Sequence, residues 1–243
     1  VNENIKASGG PWSYTAGIFL DSSSNNIVNN NMADSNYVGD DGGWGIHLVS
    51  STSNTIGYNM ARYNHPNSPC GWVSAASAGI YLETSTNNTV VGNTADSNIG
   101  SYGIGLNSSG YNLIDSNVLH ANMMGLAVRN SSYNVFIANI IDSNTGGVAL
   151  LSSCTNNILK GNRITNNRDS GIWIFASDTN VIHQNEIIAN DTTLIFFGAS
   201  HGNYIVKNNI SGNVYNKGGL VQTLGQNWFG TTDEVTIATK IND

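Results

Sequence analysis

Two acidic side chains, Asp21 and Glu83, stand at matching points of a repeated motif, and His47 lies in the copy between them. Asp21 follows Gly17-Ile-Phe-Leu20, Glu83 follows Gly79-Ile-Tyr-Leu82, and His47 is the third residue of Gly45-Ile-His-Leu48. Paired carboxylates do acid and base work in glycoside hydrolysis, where inverting enzymes hold them roughly 6.5–9.5 Å apart. If the motif stacks as parallel strands, two steps of about 4.8 Å separate the two backbones by about 9.6 Å. Asp40 and Asp41, between the first and second copies, are reserve carboxylates, and Arg129 follows another copy, Gly125-Leu-Ala-Val128. The same groups suit a rival chemistry, proton abstraction beside a uronic carboxylate, with Arg129 neutralising the acid and His47 or Tyr81 as base. The plain alternative is that Asp21 and Glu83 are exposed acids at strand ends and that His47 stacks on its neighbours.

Aromatic rings accompany these groups. Three irregular stretches, residues 7–15, 37–44 and 65–78, each carry a tryptophan: Trp12, Trp44 and Trp72. Sugar rings stack their C–H faces on aromatic side chains while their hydroxyls bond to acids and amides. Trp12, Trp44, Trp72, Tyr81 and Trp173 are therefore expected sugar platforms, with Asn107 as an amide partner. The outward positions of the motif, read in order, are Phe19/Asp21, His47/Val49, Tyr81/Glu83, Gly105/Asn107, Ala127/Arg129, Ala149/Leu151, Trp173/Phe175 and Ile195/Phe197. From Asp21 to Arg129 this row is polar and ionisable, the floor of a groove walled by the three insertions.

The elements that hold these residues are legible in the repeat. Asparagines recur at five-residue intervals in eight triplets, from Asn26/Asn31/Asn36 to Asn203/Asn208/Asn213. A Gly-(Ile/Leu/Val)-x-(Leu/Val/Ile) run precedes most of them, with Thr193-Leu-Ile-Phe196 the last rung. The Gly-to-Gly spacing is 22 or 24 residues in the later copies, but 28 from Gly17 to Gly45 and 34 from Gly45 to Gly79. A constant period of this size marks a solenoid. The alternating apolar residues mark a first strand pointing into one core. Shorter apolar positions after the first and middle asparagines mark a second and a third. The expected fold is all-β: a right-handed parallel β-helix of three short strands per coil and about eight to nine coils. Asparagines are expected at the corners, in left-handed backbone and in stacked amide ladders.

One domain spans residues 1–243: an incomplete coil and loop over 1–16, repeated coils over 17–213, and the last coil with a C-terminal cap over 214–243. Thr232 or Asp233 is expected to start a short helix reaching Lys240 and covering the core. Asn4-Ile5-Lys6 matches the end of an earlier rung, so the chain reads as part of a longer exported, extracellular or cell-surface protein flanked by further domains.

Composition narrows the partners. Charged residues are only 10% of the 243, and the net charge is −7, which disfavours a nucleic acid backbone. No apolar run approaches a membrane span. Cys70 and Cys154 lie about three coils apart, beyond disulfide reach. Asn87, Asn107, Asn130, Asn190 and Asn209 begin Asn-x-Ser/Thr sequons. A second row, Asp34, Arg62, Asp96, His120 and Asp142, reads as charge pairing between rungs, or as a relay.

With its Gly-Ile-x-Leu rungs, asparagine triplets and closing Asn227-Trp-Phe-Gly-Thr-Thr-Asp233, the chain resembles β-helix repeat proteins of the NosD and carbohydrate-binding/sugar-hydrolase type. These belong to the broad pectate-lyase-like fold group. It is also similar to Asn-rich archaeal surface proteins, including disaggregatases that cut a matrix polysaccharide. The resemblance implies a β-helix acting on an extracellular polysaccharide, acidic or neutral. Glycoside hydrolysis is the leading expectation; a lyase or epimerase at the same groove, or a non-catalytic sugar-binding module, are the alternatives. No cofactor is required; Ca²⁺ on Asp21, Asp40 and Asp41 would need hard oxygen ligands. The copper linked to NosD relatives finds no soft-ligand cluster of Met and His here.

Overall fold

In a computed structural model, described over residues 5–6, 15–38, 43–66, 77–217 and 222–242, the repeat forms three parallel sheets. The first runs from Thr15–Asp21 through eight further strands to Ile241–Asn242, and the second from Ile27–Asn29 to Thr223–Gly225. The third runs from Met60–Arg62 to Asn209–Ile210. Ten, nine and seven strands stack in the three sheets, and seven coils carry all three strands among the described residues. That is slightly below the expected eight to nine, because the terminal coils lack one strand or another. Ile5–Lys6 pairs with Tyr37–Val38, and that strand with His65–Pro66, in a fourth sheet of three short parallel strands.

The inward residues stack on their own kind. Leu48, Leu82, Leu106, Val128, Leu150 and Ile174 lie in register in the first sheet. Ile56, Val90, Ile114 and Phe136 do so in the second, and Leu119, Ile141, Ile164 and Ile187 in the third. All are buried in one continuous core. Each such side chain stabilises the coil by roughly 1.5–3 kcal/mol through apolar burial.

The asparagines form ladders with a defined polarity. Asn117 Nδ2 donates to Asn139 Oδ1 of the next coil at 3.0 Å and to the Val90 carbonyl of the preceding one at 2.9 Å. Its own Oδ1 accepts from the Asn93 backbone N–H and Nδ2. Every hydrogen-bonding position of the buried amide is thus occupied, as burial demands. The left-handed corner falls one residue earlier than expected: Ser116, Ala138 and Gln184 have positive φ, whereas Asn117, Asn139 and Asn185 do not. The corner residue turns the chain, and the asparagine after it reaches inward.

The third ladder also stops earlier than expected. Asn36 to Asn190 are joined in series, but Asn213 donates instead to Tyr215 Oη. Ile187 and Leu194 pair with Ile210 and Val214, so this corner is three residues shorter. The rung glycines explain the linkage. A Cβ at Gly103, Gly125 or Gly171 would lie 2.9 Å from Nδ2 of Asn122, Asn144 or Asn190. Thr193 replaces glycine in the one rung whose asparagine has left the ladder. The first two ladders continue through Gln222 and Asn227.

The cap is a helix, Glu234–Lys240, N-capped by Asp233, which accepts from the Thr236 N–H. Ile237 and Ile241 pack on the core.

Candidate functional site

Three adjacent strands of the first sheet, Thr15–Asp21, Gly43–Val49 and Ala78–Glu83, build the site. Phe19, His47 and Tyr81 are in register, as are Trp44 with Ala78 and Val49 with Glu83. The pairing passes over Gly17, Gly45 and Gly79. The residue before each glycine therefore leaves the strand alternation, and Trp44 joins the outward side chains rather than the core.

His47 sits at the centre. Its ring stacks on Trp44 with centroids 4.5 Å apart and meets Phe19 and Tyr81 at tilts of 54° and 52°, with centroids 5.4 and 5.3 Å away. This collar leaves it with 0% exposure. Its Nε2 lies 3.3 Å from Glu83 Oε2, whose side chain is 30% exposed. Burial pushes the imidazole below its usual pKa, opposed by the hydrogen bond and charge of Glu83. The hydrogen bond from His47 holds the Glu83 carboxyl below its usual range, against partial burial. At neutral pH the pair is a neutral imidazole behind an ionised, reachable carboxylate. Tyr81 leans over the next rung, where a Cβ at Gly105 would fall 2.6 Å from its ring.

The outward row past His47 runs, in register, Asp21, Val49, Glu83, Asn107, Arg129, Leu151 and Phe175. Asp21 and Glu83 are two rungs apart, as the spacing implied, with Val49 between them. Asp21 is exposed and accepts from Ser22 Oγ at 2.9 Å. Glu83, Asn107 and Arg129 occupy three consecutive rungs, with Arg129 exposed. Tyr102 belongs to the same face, and burial raises its phenol pKa against the opposing charge of Arg129.

The structure thus gathers Trp44, His47, Tyr81 and Glu83, and strings Asn107 and Arg129 along the same face. It does not make an open polar floor. His47, Tyr81, Trp44, Met124, Ala127 and Ala149 are all buried, because outward side chains pile onto one another. Trp44 lies within a strand, not on an insertion, and with Tyr81 it serves as the wall of His47. Trp173, half-buried, stands two rungs beyond Ala127 in the row. Trp12, Trp72, Asp40, Asp41 and Cys70 lie outside the described residues. Phe19 and Tyr102 were not picked out as site residues; their one signal in the sequence is position, on and just before the Gly-Ile-x-Leu rung.

The second charged row is a set of struts. Asp34 accepts from Arg62 Nη2 at 2.7 Å, His120 Nδ1 lies 3.0 Å from Asp96, and Asp142 accepts from Thr165, Asn166 and Ser143. Among the described residues no three His, Cys, Asp or Glu side chains converge as metal ligands would.

The sequence matches the family described as periplasmic copper-binding protein (NosD) over residues 11–112 and 70–242. Among solved structures, a substituted form of the periplasmic alginate epimerase AlgG is similar at 20% identity and a TM-score of 0.60. The match covers 83% of this chain and 50% of that one, so this chain spans about half its length. Another AlgG structure is similar at 16% identity and a TM-score of 0.48, covering 87% and 73% of the two chains. At such identities the likeness establishes the fold alone. No curated protein matches the chain.

Proposed function

The chain belongs to the NosD family, and from that premise we propose that it is an exported β-helix acting on an acidic polysaccharide along the outer face of its first sheet. The observation that carries this reading is the row itself. Glu83, whose carboxyl is held below its usual pKa range, stands two rungs from the exposed Arg129, about 9.6 Å between backbones, with Asn107 on the rung between.

A uronic sugar laid across this row places its carboxylate at Arg129 and its ring protons toward Glu83. Glu83 takes the proton on the carbon beside the carboxylate, and the charge passes into that carboxylate, where Arg129 balances it. Return of a proton from water to the opposite face gives the epimer; departure of the glycosidic oxygen on the carbon β to the carboxylate, protonated by water as it leaves, cuts the chain and leaves an unsaturated sugar. His47 does not reach the sugar. It positions the Glu83 carboxylate from behind and keeps it ionised. Neither His47 nor Tyr81 serves as the base, since both rings are buried.

Copper, carried in the family's description, does not fit the described residues: no three hard or imidazole ligands converge, and the His47 Nε2 faces Glu83. No step is routed through it. Hydrolysis by Glu83 with Asp21 is the second reading, favoured by their two-rung placement in one row. Against Glu83 as its acid stands the lowered pKa of that carboxyl, which keeps it ionised where hydrolysis needs one protonated carboxyl.

Incubation with acidic and neutral polysaccharides separates these readings. Altered uronate composition without chain cleavage means epimerisation, an ultraviolet-absorbing product means elimination, and new reducing ends without that absorbance mean hydrolysis. Glu83→Gln should abolish whichever is seen. Unchanged turnover in that variant removes Glu83 from the reaction, and binding without turnover by the native chain makes it a sugar-binding module.

A further inference from the structure

Several charged groups on the outer faces of this molecule are matched with the opposite sign. Arg62 pairs with Asp34, His120 with Asp96, Arg163 with Glu186, Arg168 with Asp169 and His201 with Asp178. On the second sheet a basic cluster lacks such a match among the described residues. There Lys160 and His183 lie in register on adjacent rungs, and Lys207 begins the corner one rung further, just after Val206, the register partner of His183. Among the described residues neither lysine has a carboxylate within ion-pair distance. Burial lowers the His183 pKa, and the charge of each lysine lowers it further.

Beside this row, two residues earlier on the same strands and the same face, run Ile158, Val181 and Tyr204 in register. Ile158 and Val181 are half-buried, and the Tyr204 ring is exposed. The surface is therefore two parallel tracks, one aliphatic and aromatic, one cationic, stepped at about 4.8 Å per rung. A linear polysaccharide bearing one carboxylate per sugar has the complementary form: C–H faces for the first track, carboxylates for the second. A nucleic acid backbone fits less well. Its affinity comes from many phosphate contacts at once, and this track offers only two lysines on a chain of net charge −7.

We propose that Lys160, His183 and Lys207, with Ile158, Val181 and Tyr204, form a second polysaccharide-binding surface, specific for uronic acid chains and separate from the first-sheet groove. It keeps an acidic chain on the solenoid without taking part in its chemistry. The proposal goes beyond the groove reading and stands or falls apart from it.

Electrophoresis of the whole chain through gels containing polygalacturonate or alginate, or the same polymers with carboxyls reduced to alcohols, tests it. The native protein should be retarded by the acidic polymers alone. The doubly substituted Lys160→Gln, Lys207→Gln variant should lose about fivefold in affinity, and Tyr204→Ala should also weaken it. Arg163→Gln, which removes a paired cation from the third sheet, should be retarded like the native chain. Equal retardation of the double variant, equal retardation by the reduced polymers, none by either acidic polymer, or retardation by inorganic polyphosphate as strong as by polyuronate would each overturn the proposal. Failure of the groove reading shows up instead as unchanged turnover in Glu83→Gln and leaves these shifts intact.

Discussion

His47–Glu83 and His120–Asp96 are the same chemical pair, an imidazole against a carboxylate from the neighbouring coil, at 3.3 and 3.0 Å. They differ in what surrounds them. The His120 side chain is 47% exposed on the third sheet, whereas His47 is 0% exposed under Phe19, Trp44 and Tyr81. In water such a pair is screened and weak. Beneath an aromatic collar the imidazole loses its hydration, its pKa falls, and the carboxylate it touches is fixed in place. Pairing alone therefore does not make a site; withdrawal of one partner from water does.

The comparison can be broken most sharply at the carboxylates. Glu83→Gln should lower polysaccharide turnover by roughly 10²–10³-fold, as loss of a general base does, while Asp96→Asn leaves it within about twofold. Equal losses would show that the two pairs are equivalent.

Stability comes next. His47→Ala empties a packed position and should cost about 2–3 kcal/mol in urea unfolding. A cost near that of an exposed pair would mean the collar is not closed in solution.

A pH series sharpens the same point. The folded His47 has a lowered pKa, so as the pH falls through the ordinary imidazole value of about 6.5 the unfolded chain binds the more protons and stability falls with acid. Glu83, also lowered, adds loss in the same direction below its ordinary value. His183 is lowered too, so the test is a difference: His47→Phe should flatten the slope by at most about 1.4 kcal/mol per pH unit. An unchanged slope would count against the neutral imidazole.

The smallest effect belongs to the exposed pair. His120→Ala should change the unfolding free energy by less than about 0.5 kcal/mol, and a loss as large as that of His47→Ala would erase the distinction.

Much of the scaffold was legible because it is periodic. Leu82 and Leu106 announce an interior row by alternation, and Asn93, Asn117 and Asn139 announce a corner by their five-residue spacing. The details that escaped are those set by a neighbour out of sequence reach. Asn213 keeps the spacing yet leaves its ladder, since the corner before Val214 is three residues shorter than the one before Leu194. Trp44 looks like part of an insertion, but the step over Gly45 turns it onto the outer face. Alternation says that His47 and Tyr81 point outward. It does not say that three outward rings from adjacent rungs close over one of them.

The sequence by itself determined the solenoid, its three sheets, its asparagine ladders and the two-rung spacing of Asp21 and Glu83. Repetition writes the same local energetics into every coil: apolar residues inward, amides bonded to the coils above and below, glycine where an asparagine presses close. Which outward polar group loses its water was decided only by the tertiary structure. Burial of His47 depends on ring packing among Phe19, Trp44 and Tyr81, brought together from coils 28 and 34 residues apart, and no single rung carries that information.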